Sequence, residues 1–187
     1  MPFVYVCPLS QIAATVSSTR ASHLISLIDD STLVARPDSI AEENHLFVGI
    51  HDITEAQDGM VLPAEEHVRL LIDFAEHWDR ERPMVVHCFA GISRSTAGAF
   101  ITLCATRPER DELGIARRLR EASRFATPNS RLVALADAIL VREGRMIAAI
   151  EQIGRGEMAA ESVPFMLALE GADGTGPQIV VRASTGS

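Results

Sequence analysis

Runs of β-branched and aromatic residues alternate along this chain with stretches whose apolar positions recur every three or four residues. Phe3-Val4-Tyr5-Val6-Cys7 predicts a strand ended by Pro8, and Ser10 to Ser18 a short helix. His23 to Ile28 predicts a second strand, closed by Asp29-Asp30-Ser31, and the segment around Arg36-Pro37-Asp38 a loop. His45 to Ile50 predicts a third strand, followed by turn residues through Gln57-Asp58-Gly59. Pro63 suits the first turn of a helix whose apolar stripe is Val68, Leu71, Ile72, Ala75 and Trp78, and Pro83 closes it. Met84-Val85-Val86-His87 predicts a short buried strand. After it, Ser95 to Thr106 is small and apolar almost throughout, which predicts a buried helix. Asp111 to Ser123 is amphipathic, Ser130 to Val141 predicts another helix, and Arg145 to Glu157 a further one or its extension. From Gly171 the composition shifts to Gly, Thr, Ser and Pro, as in a frayed tail, within which Gln178 to Val181 offers an edge strand. There is no internal repeat.

Strands alternating with helices, with the helices gathered toward the C-terminus, imply an α/β fold: a three-layer α-β-α domain around a short parallel or mixed sheet. We expect one domain over residues 1–160 and a C-terminal extension over 161–187, either flexible or supplying an edge strand.

Composition changes this picture little. Apolar residues make up 47% and charged residues 22%, an ordinary globular balance. The net charge of −8, with no Lys/Arg block, speaks against nucleic acid and anionic membrane surfaces as partners. Three cysteines, Cys7, Cys88 and Cys104, make neither a disulfide framework nor a zinc pattern, so the expected compartment is the reducing cytoplasm. No signal peptide and no apolar run of membrane-spanning length is read in the sequence.

The chemistry concentrates in His87-Cys88-Phe89-Ala90-Gly91-Ile92-Ser93-Arg94-Ser95, where a strand runs into a helix. A loop there turns backbone N–H groups inward as an anion nest, with the positive end of a helix behind it. Gly91 permits positive φ and close backbone approach. Arg94 offers a planar fork to two phosphate oxygens. Those groups together favour the thiolate of Cys88, which can attack phosphorus. Ser95 can donate a hydrogen bond to the departing sulfur, and His87 can orient the loop through a backbone network. Taken singly, Cys88 and His87 would read as core residues and Arg94 as a surface charge. Their common frame is what carries the functional reading.

His-Cys-x-x-Gly-x-x-Arg-Ser resembles the signature of the protein tyrosine phosphatase superfamily. The short chain is more similar to its dual-specificity branch than to the larger tyrosine-specific enzymes. The resemblance implies a metal-independent phosphomonoester hydrolase without a cofactor, working through a phosphocysteine. It also implies a catalytic aspartate on a loop after a strand, which here corresponds to Asp52, with Glu55 and Asp58 on the same loop as alternatives. Pro128-Asn129 matches a family pair; Asn129 would steady the loop, or cap the helix from Ser130, or both. Residues 3–143 can be placed on this plan, and the last forty or so cannot. His51-Asp52-Ile53, taken with Ala90 to Thr96, resembles a bacterial phosphatase-like subgroup.

Phe89, Ala90, Gly91, Ile92 and Ser93 include no Lys or Arg, which argues against highly charged inositol lipids as substrates. The expected substrate is a phosphorylated protein. Alternatives are a small phosphoester such as a nucleotide or sugar phosphate, or mere phosphate binding without turnover. An arsenate reductase would place its nucleophile near the N-terminus with resolving cysteines, and neither feature is evident. Cys7 and Cys104 read as core residues, with a backdoor disulfide to Cys88 as the other possibility.

Overall fold

The computed structural model describes residues 3–168. Its strands are β1 (Phe3–Pro8), β2 (His23–Ile28), β3 (His45–Gly49), β4 (Met84–Cys88) and β5 (Phe165–Ala168). They form one mixed sheet in the order β3-β2-β4-β1-β5. The first four are mutually parallel, and β5 runs antiparallel to β1 with Val6 opposite Phe165. The helices are α1 (Ile12–Thr19), α2 (Glu65–His77), α3 (Arg94–Thr106), α4 (Glu112–Ala122), α5 (Ser130–Ile139) and α6 (Arg145–Ile153). This is the three-layer α/β architecture that the alternation of elements predicts.

Both faces of the sheet are covered, which is why β1, β2 and β4 are apolar almost throughout. Val4, Val6, Ile25, Leu27, Met84 and Val86 face α2 to α6, while Tyr5, Cys7, Leu24 and Val85 face Ile12 and Val16 of α1 and the loop residue Ile40. Burying a side chain the size of Trp78 or Phe100 contributes about 2–3 kcal/mol. α3 lies closest to the sheet: a Cβ on Gly98 would stand 2.6 Å from Leu27 Cδ1 and 3.1 Å from Val86 Cγ1. The small residues Ala97, Gly98 and Ala99 permit that approach, and it fixes where the N-terminus of α3 meets the end of β4.

Several boundaries differ from the pattern-based expectation. Leu9–Gln11 form a 3₁₀ turn before α1. Trp78 belongs to the buried stripe but follows the last turn of α2 with extended backbone, and its indole N–H donates to Arg82 O at 3.0 Å. α6 stops at Ile153 because Gly154 takes a positive φ of 64°. The edge strand β5 forms at Phe165–Ala168, where the pattern predicts none, and the one expected at Gln178 to Val181 lies outside the described residues.

Candidate active site

The loop between β4 and α3 is shaped by its carbonyls. Leu9 N–H donates to Phe89 O at 3.1 Å, Ser162 N–H to Ala90 O at 2.8 Å, and Thr127 N–H to Ile92 O at 2.9 Å. Asn129 N–H donates to Ser93 O at 3.3 Å, and the Ser162 hydroxyl donates to Gly91 O at 3.0 Å. Five consecutive carbonyls, from Phe89 to Ser93, are thus drawn outward by groups outside the loop. In a trans peptide the N–H points opposite to the C=O. The N–H groups of Ala90, Gly91, Ile92, Ser93 and Arg94 therefore turn to the concave side, the arrangement that binds oxyanions. Gly91 takes a φ of 70° there, against Ser162 Oγ and the backbone of Cys7 and Pro8.

Cys88 lies at the floor of this concavity, 2% exposed, with its Sγ 3.1 Å from Ser95 Oγ. Arg94, 7% exposed, donates from one Nη to Ile50 O at 2.8 Å. That bond anchors the guanidinium to the end of β3. Its Nε is buried and has no acceptor among the described residues. A buried donor without an acceptor is uncommon, and here it sits beside an oxyanion cradle.

Asp52 is brought to the loop from the segment after β3. Its Oδ1 accepts from the Ser93 hydroxyl at 2.6 Å and from Asn129 Nδ2 at 2.8 Å. Asn129 also donates to Ile53 O, and its Oδ1 accepts from the N–H groups of Arg131 and Leu132. Asn129 thus caps α5 and bonds to the Asp52 segment. The stretch from His51 to Val61 closes on itself, His51 N–H donating to Val61 O and Val61 N–H to His51 Nδ1, both at 2.9 Å. Glu55 and Asp58 lie in its exposed part, and among the described residues neither bonds to the Cys88–Arg94 loop.

Residues 40–129 match the protein-tyrosine phosphatase family, a span containing Asp52, the whole loop and Asn129. Over that span the chain is similar to the protein tyrosine phosphatase superfamily. Solved structures share its fold. Cydia pomonella PTP-2 phosphatase is 20% identical, with TM-score 0.56, over 72% of this chain and 84% of that one. The Yvh1 phosphatase domain of Chaetomium thermophilum is 18% identical, with TM-score 0.55, over 78% and 93%. The human tyrosine phosphatase-like serine/threonine/tyrosine-interacting protein is 16% identical, with TM-score 0.57, over 75% and 92%. No curated protein matches the sequence. Enzymes of this superfamily are cysteine-dependent phosphatases, and the chain is a hydrolase of that type.

The phosphatase loop rests on residues that the sequence did not flag. Ser162 lies beyond the span matched by the family, yet holds two of the five carbonyls. Thr127 and Leu9 act through backbone N–H groups, which leave no trace in residue type. His87 is fully buried; its Nδ1 lies 3.3 Å from Cys88 O and its Nε2 2.6 Å from Ser26 Oγ. Burial holds the imidazole down to a pKa of about 4. Cys7 and Cys104 are free thiols whose ionisation burial pushes up, that of Cys7 to about 12. Cys7 packs with Tyr5 and Val85 on the face of the sheet opposite α3. Among the described residues no group of three or more His, Cys, Asp or Glu is placed to hold a metal, and no helix is long and apolar enough to cross a membrane.

Proposed function

We propose that the protein hydrolyses phosphomonoesters on tyrosine, serine or threonine side chains through a phosphocysteine formed on Cys88. The observation that carries this reading is the ring of outward-held carbonyls, which aims consecutive N–H groups over a buried thiol. Three of the phosphoryl oxygens rest in the nest, and the unpartnered Nε of Arg94 gains the acceptor it lacks. The Cys88 thiolate attacks phosphorus; the S–P bond forms as the ester P–O bond breaks. Asp52 gives its proton to the leaving oxygen. Both bonds to this carboxyl fall on Oδ1, which leaves Oδ2 to carry that proton. In the second step the Asp52 carboxylate takes a proton from water as the water oxygen attacks phosphorus. The P–S bond breaks, and the Ser95 hydroxyl donates to the emerging thiolate. Asn129 and Ser93 position Asp52, and His87 orients the loop from behind.

The uncharged span Phe89 to Ser93 and the net charge of −8 suit a singly phosphorylated protein better than a polyanionic lipid. Three free, buried thiols suit the cytoplasm, and the His51-Asp52-Ile53 resemblance suits a bacterial source. Assay of the purified protein on phosphotyrosine and phosphoserine peptides, nucleotides and sugar phosphates tests the reading. We expect hydrolysis of phosphopeptides that survives a chelator and is lost in Cys88→Ser, while phosphate still binds that variant. Activity of Cys88→Ser within about tenfold of wild type would exclude Cys88 as nucleophile.

A further inference from the structure

The face of the sheet turned away from the Cys88 sulfur carries a row of polar side chains, of which His87 alone has a task in the proposed mechanism. His87 on β4, Ser26 on β2 and His45 on β3 cross three neighbouring strands. His87 Nε2 lies 2.6 Å from Ser26 Oγ, and Ser26 Oγ lies 2.8 Å from His45 Nε2. At the other end, His87 Nδ1 meets Cys88 O at 3.3 Å. His87 and Ser26 have no solvent exposure, and His45 is half-buried.

This chain of bonds admits one polarity. The Cys88 carbonyl only accepts, so His87 Nδ1 carries the proton. His87 Nε2 then offers a lone pair, and the single hydroxyl hydrogen of Ser26 goes to it. Ser26 Oγ must in turn accept, so His45 donates from Nε2–H. The direction is His45 to Ser26 to His87 to the Cys88 carbonyl. That carbonyl shares a peptide group with the N–H of Phe89, which points the opposite way, toward the side of the sheet where Sγ lies. A hydrogen bond accepted at one end of a peptide polarises the donor at the other.

We propose that Ser26 and His45 are positioning residues for the nucleophile. They fix His87 in one tautomer, and through the Cys88 carbonyl they hold and polarise the Phe89 N–H beside the thiolate. The inference rests on the proposed phosphatase reading only in taking Cys88 as the reactive thiol. Arg36 beside His45 and Arg94 beside His87 are the charged groups that bear on the row. Charging His45 leaves the polarity intact, because an imidazolium still donates from Nε2.

The test is the rate of Cys88 alkylation by iodoacetate as a function of pH, with Cys88→Ser as the blank for Cys7 and Cys104. Ser26→Ala is expected to raise the midpoint of that profile by about 0.5–1 pH unit, and His45→Leu to raise it in the same direction. His45→Gln places an amide N–H near the position of Nε2–H and is expected to restore the wild-type midpoint. An unchanged midpoint in both Ser26→Ala and His45→Leu overturns the proposal, as does a shift in His45→Gln equal to that in His45→Leu. If Ser26→Ala fails to fold, the two variants of half-buried His45 decide the matter alone. The measurement needs no turnover, so a protein that alkylates as expected but hydrolyses nothing contradicts the phosphatase reading and not this one. Hydrolysis with no alkylation shift does the reverse.

Discussion

Asn129 Nδ2 stands 2.8 Å from Asp52 Oδ1 across a separation of 77 residues, so a single amide joins the Asp52 segment to the first turn of α5. The other end of the same amide caps the helix. The two functions can be separated by mutation.

Asn129→Ser keeps a capping hydroxyl but no donor long enough to reach Asp52. We expect kcat/KM for an alkyl phosphate to fall by about tenfold, with a smaller loss for an aryl phosphate and a melting temperature within a few degrees of wild type. Equal losses on both esters together with a large drop in melting temperature would reduce Asn129 to a cap.

Asp52→Asn removes the proposed proton donor while keeping the side-chain shape. Esters with poor leaving groups should suffer most in kcat/KM, which reports the steps up to the first irreversible one, and the alkaline limb of the pH profile should flatten. Asp58→Asn should do neither. Should Asp58→Asn reproduce both effects while Asp52→Asn leaves them unchanged, the acid is misassigned.

Gly91→Ala places a Cβ 2.5 Å from Ser162 Oγ, 2.8 Å from Pro8 N and 2.9 Å from Cys7 C, at a φ of 70°. The hydroxyl can rotate away, but the two backbone atoms cannot. The expected cost is about 2–4 kcal/mol, from positive φ and overpacking together. Urea denaturation measures it, and a loss under about 0.5 kcal/mol would show that the loop is not pinned as described.

His87 gives a pH signature. Its folded pKa of about 4 lies below the ordinary 6.5, so between these values the unfolded chain binds the extra proton. The stability contribution is whole above about 6.5 and is lost as pH falls through 4, amounting to about 3 kcal/mol at most. Melting curves of wild type and His87→Gln between pH 4 and 7 should diverge toward acid, the wild type losing more. Parallel curves would mean that His87 is not held neutral.

The elements that position the loop were legible because each is local. Val85-Val86, the stripe from Val68 to Ala75, and the small residues of α3 each announce themselves within one window of sequence. β5 was not, since four residues with alternating burial give too weak a pattern to stand out from a tail. The supports behind the loop were illegible for a different reason: Thr127 and Leu9 contribute only main-chain N–H groups, and Ser162 meets Gly91 across 71 residues. Ser26 and His45 did leave a faint mark, as polar residues at inward positions of otherwise apolar strands, where a buried polar group calls for a partner. Sequence alone does not say which partner.

The ring of outward carbonyls also bears on when the catalytic pocket comes into being. The nine-residue signature is contiguous, but its curvature is imposed by donors at Leu9, Thr127, Asn129 and Ser162. During synthesis the nucleophile and the arginine leave the ribosome well before Ser162 does. Until Ser162 closes, the carbonyls of Ala90 and Gly91 lack the donors that turn them outward. Long-range closure of this kind comes late in folding. A nascent or C-terminally clipped chain would thus carry the signature without the complete cradle, so phosphate-monoester chemistry is tied to completion of the whole domain.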